Sequence, residues 1–135
     1  MIIDAISIKN FQTYYGDIEF EFDKPTNDKN IVLIGGLNGA GKTSFFSSIV
    51  LGLFGKNSEG IVFERSSGEN ISDSYENYLQ DVFNHSAKKK NETEMEISIA
   101  LTHESKNIKI VRKWWFDDSI DEILEIYIEE EGVVK

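Results

Sequence analysis

The chain has 135 residues, 40% of them hydrophobic and 12% aromatic, which supplies one packed core and too little length for two. A formal net charge of −10 and a pI near 4.6 argue against a free-standing nucleic-acid binder, because phosphate affinity comes from clustered Lys and Arg. The absence of cysteine removes disulfides, thiolate metal sites and cysteine nucleophiles.

His85 and His103 have no companion at metal-ligand spacing and are expected at the surface or half buried. The start Met1-Ile2-Ile3-Asp4-Ala5 carries an early acid and no basic stretch, so no signal peptide is expected. No run approaches the ~18 apolar residues of a membrane span. A soluble, cytoplasmic protein is the expectation.

Ile2, Ile3, Ala5, Ile6 and Ile8 predict a first strand, and Ile18, Phe20 and Phe22, alternating with Asp17, Glu19 and Glu21, predict a second with one wet acidic face. The two are expected to join across Tyr14-Tyr15-Gly16. Pro25, Thr26, Asn27 and Asp28 mark a loop, and Ile31-Val32-Leu33-Ile34 fits a strand buried on both faces, as in a parallel sheet. From Lys42 to about Gly55, the residues Phe45, Phe46, Ile49, Val50, Leu53 and Phe54 recur at helical spacing, with Gly55 as a stop. Residues 56–70 are polar and read as a loop or mobile insert. Asp73 or Ser72 is expected to cap a second helix reaching about Phe83, with Tyr75, Tyr78, Leu79 and Val82 on one side. Three more strands, about Glu94 to Leu101, Ile108 to Phe116 and Ile123 to Ile128, form an antiparallel meander. Neither a repeat nor a heptad seam is present, so a coiled coil would begin beyond Lys135.

One motif carries chemistry. Gly36-Leu37-Asn38-Gly39-Ala40-Gly41-Lys42-Thr43 fits G-x-x-x-x-G-K-[ST], preceded by an apolar strand and opening an apolar helix. Gly36, Gly39 and Gly41 let the backbone curl so that successive N–H groups point inward, and Gly39, Ala40 and Gly41 should line that anion nest. The helix start adds its positive end. Lys42 then offers a charge to the β- and γ-phosphates of ATP, Thr43 a hydroxyl to Mg²⁺ as the one expected metal ligand, and Ser44 a contact to the α-phosphate. Hydrolysis further needs a carboxylate near the metal and a base to orient water. Trp114-Trp115-Phe116-Asp117-Asp118 and Ile126-Tyr127-Ile128-Glu129-Glu130 are apolar runs ending in acids, but both read better as antiparallel strands entering acidic turns. No catalytic residue is identified in the segment.

With these residues the chain resembles the N-terminal head segment of SMC-like ABC ATPases. The resemblance rests on Ile6-Ser7-Ile8-Lys9-Asn10-Phe11, the alternating Ile18-to-Phe22 strand, and Gly36 through Ser44. Within that group it is similar to the DndD family of DNA sulfur modification. Asn10-Phe11 followed by Tyr14-Tyr15-Gly16, the doubled Gly35-Gly36, and Leu51-Gly52-Leu53-Phe54-Gly55 carry that closer likeness. The resemblance implies an α/β P-loop NTPase fold of the ABC/SMC head type, with a mixed sheet, a P-loop helix and an antiparallel meander. Residues 1–135 would be the N-terminal lobe of a head, a fragment inactive as an ATPase by itself. In the family, a C-terminal half separated by a coiled coil completes the head and carries the signature motif, the Walker B acids and the switch histidine. Two heads then form a homodimer around two ATP molecules, coupled to DNA or DNA-modification proteins. Ser66-Ser67-Gly68-Glu69 stands in the wrong place for the signature motif, and Gln80 is expected on a helix rather than in a Q-loop. The resemblance also places Gln12 and Thr13 beside the nucleotide, where several members carry a basic residue.

Trp114, Trp115 and Phe116 are expected to pack in a core rather than stack on bases. Lys88-Lys89-Lys90 with Lys109, Arg112 and Lys113 read as a solvated loop and strand or, alternatively, as a local patch for the DNA backbone. Asp117 to Glu131 holds eight acids and no base, which suits a solvent face or a basic partner. Two other functions fit the motif: a P-loop ATPase of a phage-defence nuclease system, and a non-hydrolysing, nucleotide-gated interaction module.

Overall fold

Strand-period alternation over residues 2–22 and 94–130 produces an antiparallel sheet, and the apolar stretch between them supplies the helices that cover it. The computed structural model describes residues 2–22, 42–130 and 133–134. The expected Pro25 loop and the Ile31–Ile34 strand lie outside that range. β1 (Ile2–Phe11), β2 (Tyr14–Glu21), β3 (Glu94–His103), β4 (Lys106–Phe116), β5 (Ile120–Glu130) and β6 (Val133–Val134) form one sheet in the order β2-β1-β3-β4-β5-β6. Every pairing is antiparallel. The expected meander is β3, β4 and β5, and β1 joins it beside β3.

The register places Phe20, Ile6, Ile99, Ile110 and Ile126 in one row across the sheet, and Ile18, Ile8, Ile97, Arg112 and Leu124 in the next. These rows face the helices. Ile6, Ile8, Met95, Ile97, Ile99 and Trp114 are fully buried there. The opposite face carries Asp17, Lys9, Glu96 and Lys113 in one row, so the wet acidic face expected for β2 is present.

β1 and β2 do not join across Tyr14-Tyr15-Gly16. The turn is Gln12–Thr13, and Tyr14 already pairs with Phe11. Asn10 causes the difference. It adopts φ 55° where the β1 register shifts, a left-handed conformation that Asn tolerates better than most residues. Fully buried, it accepts a hydrogen bond from the Gly16 amide at 2.8 Å and donates to the Glu94 carbonyl at 3.0 Å. The bulge thus ends β1 early and ties it to β3.

α1 (Lys42–Phe54) lies over β3, flanked by β1 and β4. Its contact face differs from the expected one. Phe45, Val50 and Leu51 are buried with Ser44, Ser47, Ser48 and Gly52, whereas Phe46 and Phe54 are 59% and 50% exposed. The helix lies so close to the sheet that small residues must face it. A Cβ on Gly52 would stand 2.8 Å from Ile97 Cγ2 and 3.0 Å from Ile99 Cδ1.

Below the end of α1 sits Arg112, which is 7% exposed. Its Nε donates to the Gly52 carbonyl at 3.2 Å, satisfying one of the acceptors a helix end leaves open, and its Nη1 donates to Glu122 Oε2 at 2.8 Å. Glu122 also accepts from the Tyr75 hydroxyl and from Trp114 Nε1, each at 2.6 Å. Gly55 has φ 55°, a region that favours glycine, and a Cβ there would stand 2.6 Å from Arg112 Nη1, so any other residue would have to displace the guanidinium.

Residues 56–70 form a packed excursion rather than a loose loop. A 3₁₀ turn, Gly55–Ser58, continues α1, Glu59 bridges to Phe63, and Phe63 is buried against Tyr75 and Tyr78 at 5.6 and 5.4 Å between ring centroids. α2 (Ile71–Val82) is capped by Asn70, whose Oδ1 accepts from the Asp73 amide at 2.9 Å, and not by Ser72 or Asp73. It buries Tyr75, Leu79 and Val82 as its periodicity predicts. The expected Lys88–Lys90 loop contains a short helix, α3 (His85–Lys89), capped by Asn84. Trp114 enters the core, Phe116 stacks on Phe83 at 4.5 Å, and Trp115, on the opposite face, donates to Glu94 at 3.2 Å.

Two substitutions test this packing. Arg112→Met should cost about 2–4 kcal/mol, since Glu122 loses its cation while keeping only 27% exposure and the Gly52 carbonyl loses a donor. In a double-mutant cycle by urea unfolding, Glu122→Gln added to Arg112→Met should cost less than it does alone, whereas strict additivity would show that the pair is uncoupled. Tyr78 offers the opposite case. Its hydroxyl is buried without a hydrogen-bond partner among the described residues, and burial pushes its pKa up to about 12. Tyr78→Phe should therefore be neutral or stabilise by up to about 1 kcal/mol, while Tyr75→Phe, which removes a bond to Glu122, should destabilise. Thermal unfolding of the two variants checks the contrast.

Candidate nucleotide site

Of the phosphate-binding motif, Gly36, Asn38, Gly39, Ala40 and Gly41 lie outside the described residues. The described part begins where the helix does, so that Lys42, Thr43 and Ser44 occupy the first turn of α1. The opening turn of a helix leaves backbone N–H groups unpaired and carries the positive end of the dipole, which suits it to anions. Thr43 is exposed, Lys42 half buried and Ser44 buried.

The Gln12–Thr13 turn reaches the same place. Thr13 Oγ1 donates to Ser44 Oγ at 3.4 Å, which brings these two expected site residues together although they stand 31 positions apart. Three hydrogen bonds hold the turn. The Gln12 amide donates to the Val82 carbonyl at 2.6 Å, Asn84 Nδ2 donates to the Gln12 carbonyl at 2.8 Å, and the Asn84 amide donates to the Asn10 carbonyl at 3.0 Å. Asn84 also caps α3 by accepting from the Ala87 amide at 3.0 Å. Sequence reasoning missed Asn84 altogether. Its local signal was an N-cap residue before His85-Ser86-Ala87, but its hold on a turn 72 positions away is a tertiary fact.

Other expected features have structural explanations. The runs ending in Asp117-Asp118 and Glu129-Glu130 belong to adjacent antiparallel strands, and neither closes a parallel strand. Gln80 lies on α2. Glu69 of Ser66-Ser67-Gly68-Glu69 accepts from Ser74 Oγ and from Asn77, so this segment folds onto α2. Among the described residues no group of three or more His, Asp or Glu side chains could hold a metal ion. Thr43 stands exposed at the helix start.

The alternative DNA patch is divided. Arg112 is buried in its pair with Glu122 and leaves the set, Lys113 lies 3.7 Å from Glu96, and Lys88 and Lys89 stand on α3. Lys90 lies over the Tyr15 ring at 4.7 Å. Beside Lys113, Lys9 contacts Glu94 at 3.0 Å, and this bond holds the Lys9 pKa above and the Glu94 pKa below their usual values. Lys9 and Lys113 are thus each beside a carboxylate, and Lys109, exposed on the same face, stands opposite Tyr127.

No helix of the described residues is long and apolar enough to cross a membrane. No curated protein matches the chain. The pattern that defines the AAA domain matches residues 5–132, a span that takes in β2 to β5, most of β1, all of α1 and the whole Gly36–Thr43 motif. That match supports an SMC-like ATPase head. An α/β architecture with an apolar helix opening at Lys42 agrees with it, and the chain belongs to the AAA-domain family of nucleotide-binding ATPases.

Proposed function

We propose that this chain is the ATP-binding N-terminal segment of an SMC-like ATPase head of the DNA sulfur modification (DndD) type, acting in DNA metabolism. The opening of α1 at Lys42 supports the nucleotide-binding part of this reading, because the lysine and hydroxyls of the motif then stand on a helix N-terminus, a place suited to a triphosphate with Mg²⁺. In this reading Gly36, Asn38, Gly39, Ala40 and Gly41 cradle the phosphates, Lys42 neutralises the β- and γ-phosphates, Thr43 holds Mg²⁺ and Ser44 meets the α-phosphate. Gln12 and Thr13, braced against Ser44, border the nucleotide from the other side.

The complete protein would hydrolyse ATP to ADP and phosphate. Its metal-side carboxylate and water-orienting base would come from the C-terminal half of the head. Support for that partner is the surface of α1 turned away from the sheet, where Phe46 and Phe54 are exposed beside half-buried Ile49 and Leu53. Large apolar side chains on the outer side of a helix suit a face that another layer covers. Dimerisation of two heads around ATP, and contact with DNA or DNA-modification proteins through Lys88, Lys89 and Lys90, complete the proposal.

Lys42→Ala should weaken ATP binding about 10- to 100-fold in an equilibrium titration while the circular dichroism spectrum stays unchanged. An unaltered affinity would remove the phosphate site. Thr43→Ala should lose chiefly the Mg²⁺-dependent part of binding, which titrations with and without Mg²⁺ separate. The turn is tested by two cap variants. Asn84→Ala and Asn70→Ala each remove an N-cap worth about 1 kcal/mol, but only Asn84 braces Gln12. Asn84→Ala should therefore weaken ATP binding more than Asn70→Ala does, and equal affinities would detach the turn from the nucleotide.

A further inference from the structure

The backbone around the Gln12–Thr13 turn is strained. Asn10 and Gln12 have φ 55° and 48°, left-handed values that side chains disfavour and that persist only where the surroundings hold them. Asn84 holds the turn from the start of α3. Glu92 holds it from the other end of that helix. The Glu92 amide donates to the carbonyl of fully buried Ala87 at 3.0 Å, which fixes its backbone to α3. Its carboxylate then spans the turn. Oε1 accepts from Asn10 Nδ2 at 3.4 Å, two residues before Gln12, and Oε2 accepts from the Tyr15 hydroxyl at 2.8 Å, two residues after Thr13. Lys90 lies over the same tyrosine ring and closes the bracket.

Toward α1 the turn reaches Ser44 through the 3.4 Å bond of Thr13, longer than the bonds of 2.6, 2.8 and 3.0 Å that hold it to Val82 and Asn84. The side away from α1 therefore sets where the turn points. We propose that Glu92 is a positioning residue for the nucleotide, a role that rests on the reading of Lys42, Thr43 and Ser44 as its phosphate site. By tying the two arms of the turn to α3, the carboxylate aims Gln12 and Thr13 at Ser44 and itself touches no nucleotide. The sign of its effect separates position from charge. A carboxylate repels a triphosphate, so losing it through charge alone leaves ATP affinity unchanged or raises it. Losing it as a positioning group lowers affinity.

The test measures ATP affinity of the complete protein by equilibrium titration, well below its unfolding temperature. Glu92→Ala should weaken binding about threefold, whereas Glu92→Gln, which keeps a carbonyl acceptor and carries no charge, should restore most of it. Tyr15→Phe, a change at a 41% exposed residue that removes one of the two bonds, should fall between the parent and Glu92→Ala. In a variant carrying Gln12→Ala and Thr13→Ala, adding Glu92→Ala should have no further effect, because the side chains it aims are gone. A purely structural Glu92 would instead lower the melting temperature and leave ATP affinity unchanged. Unchanged or tighter binding by Glu92→Ala, an equal loss with Glu92→Gln, or the same loss in the turn variant would each overturn the proposal. Lys42→Ala tells the two failures apart. If it alone weakens binding, the phosphate site stands and the role of Glu92 falls; if it leaves binding unaltered, the phosphate site falls and the proposal with it.

Discussion

The position of α1, and with it the place where Lys42 emerges, depends on one buried cation. Arg112 occupies a site in the core face of β4 that a neighbouring strand would fill with a hydrocarbon side chain, in a row with Ile97 and Leu124. A guanidinium there is tolerable only if its donors are met, and they are met by a helix-end carbonyl and by a carboxylate from β5. Gly52 and Gly55 are the steric counterpart. They leave room for the guanidinium and for the close approach of α1 to Ile97 and Ile99. Through Glu122 the same cation reaches Tyr75 and Trp114, so α1, α2, β4 and β5 share a single polar junction inside an otherwise apolar core. Such a junction admits one arrangement of its elements, because any shift leaves a buried polar group unpaired.

At the other end of the sheet, polar side chains again set the geometry. Asn10 ends β1 with a left-handed residue and is bonded to Gly16 and Glu94, while Asn84 and the carbonyl of Val82 hold the turn that follows. The Asn-Phe pair that marks the family resemblance therefore has a structural task. Asn10 makes the bulge, and Phe11 is wholly buried beneath it. Their joint effect is to bring Thr13 to Ser44, so two backbone turns from distant parts of the chain face the same space.

The surface divides by side. On the outer face of the sheet Lys9 and Lys113 pair with Glu94 and Glu96, and exposed acids stand on β2 to one side and on β5 to the other. The helix side instead exposes hydrocarbon, on α1 at Phe46 and Phe54 and on β5 at Leu124 and Ile126. Exposed apolar surface of that extent is a property of chains that meet further protein.

Residue pattern alone determined β1 to β5, because their period of two is a local property, and it determined α2 and the span of α1 from their helical spacing. It also marked Lys42, Thr43 and Ser44, since the glycine spacing and the flanking apolar runs are read along the chain. What the pattern could not decide is which side of α1 meets the sheet. In α1, large and small residues compete for that face, and the winner is set by how closely Gly52 lets the helix approach Ile97 and Ile99. Nor could it assign Arg112, which looked like a surface base until Glu122 and the Gly52 carbonyl converged on it. The Gln12–Thr13 turn, the anchoring of Phe63 within a polar stretch and the role of Asn84 belong to the same class. Each depends on partners far away in sequence, and only the packed chain brings those partners within hydrogen-bonding or van der Waals distance.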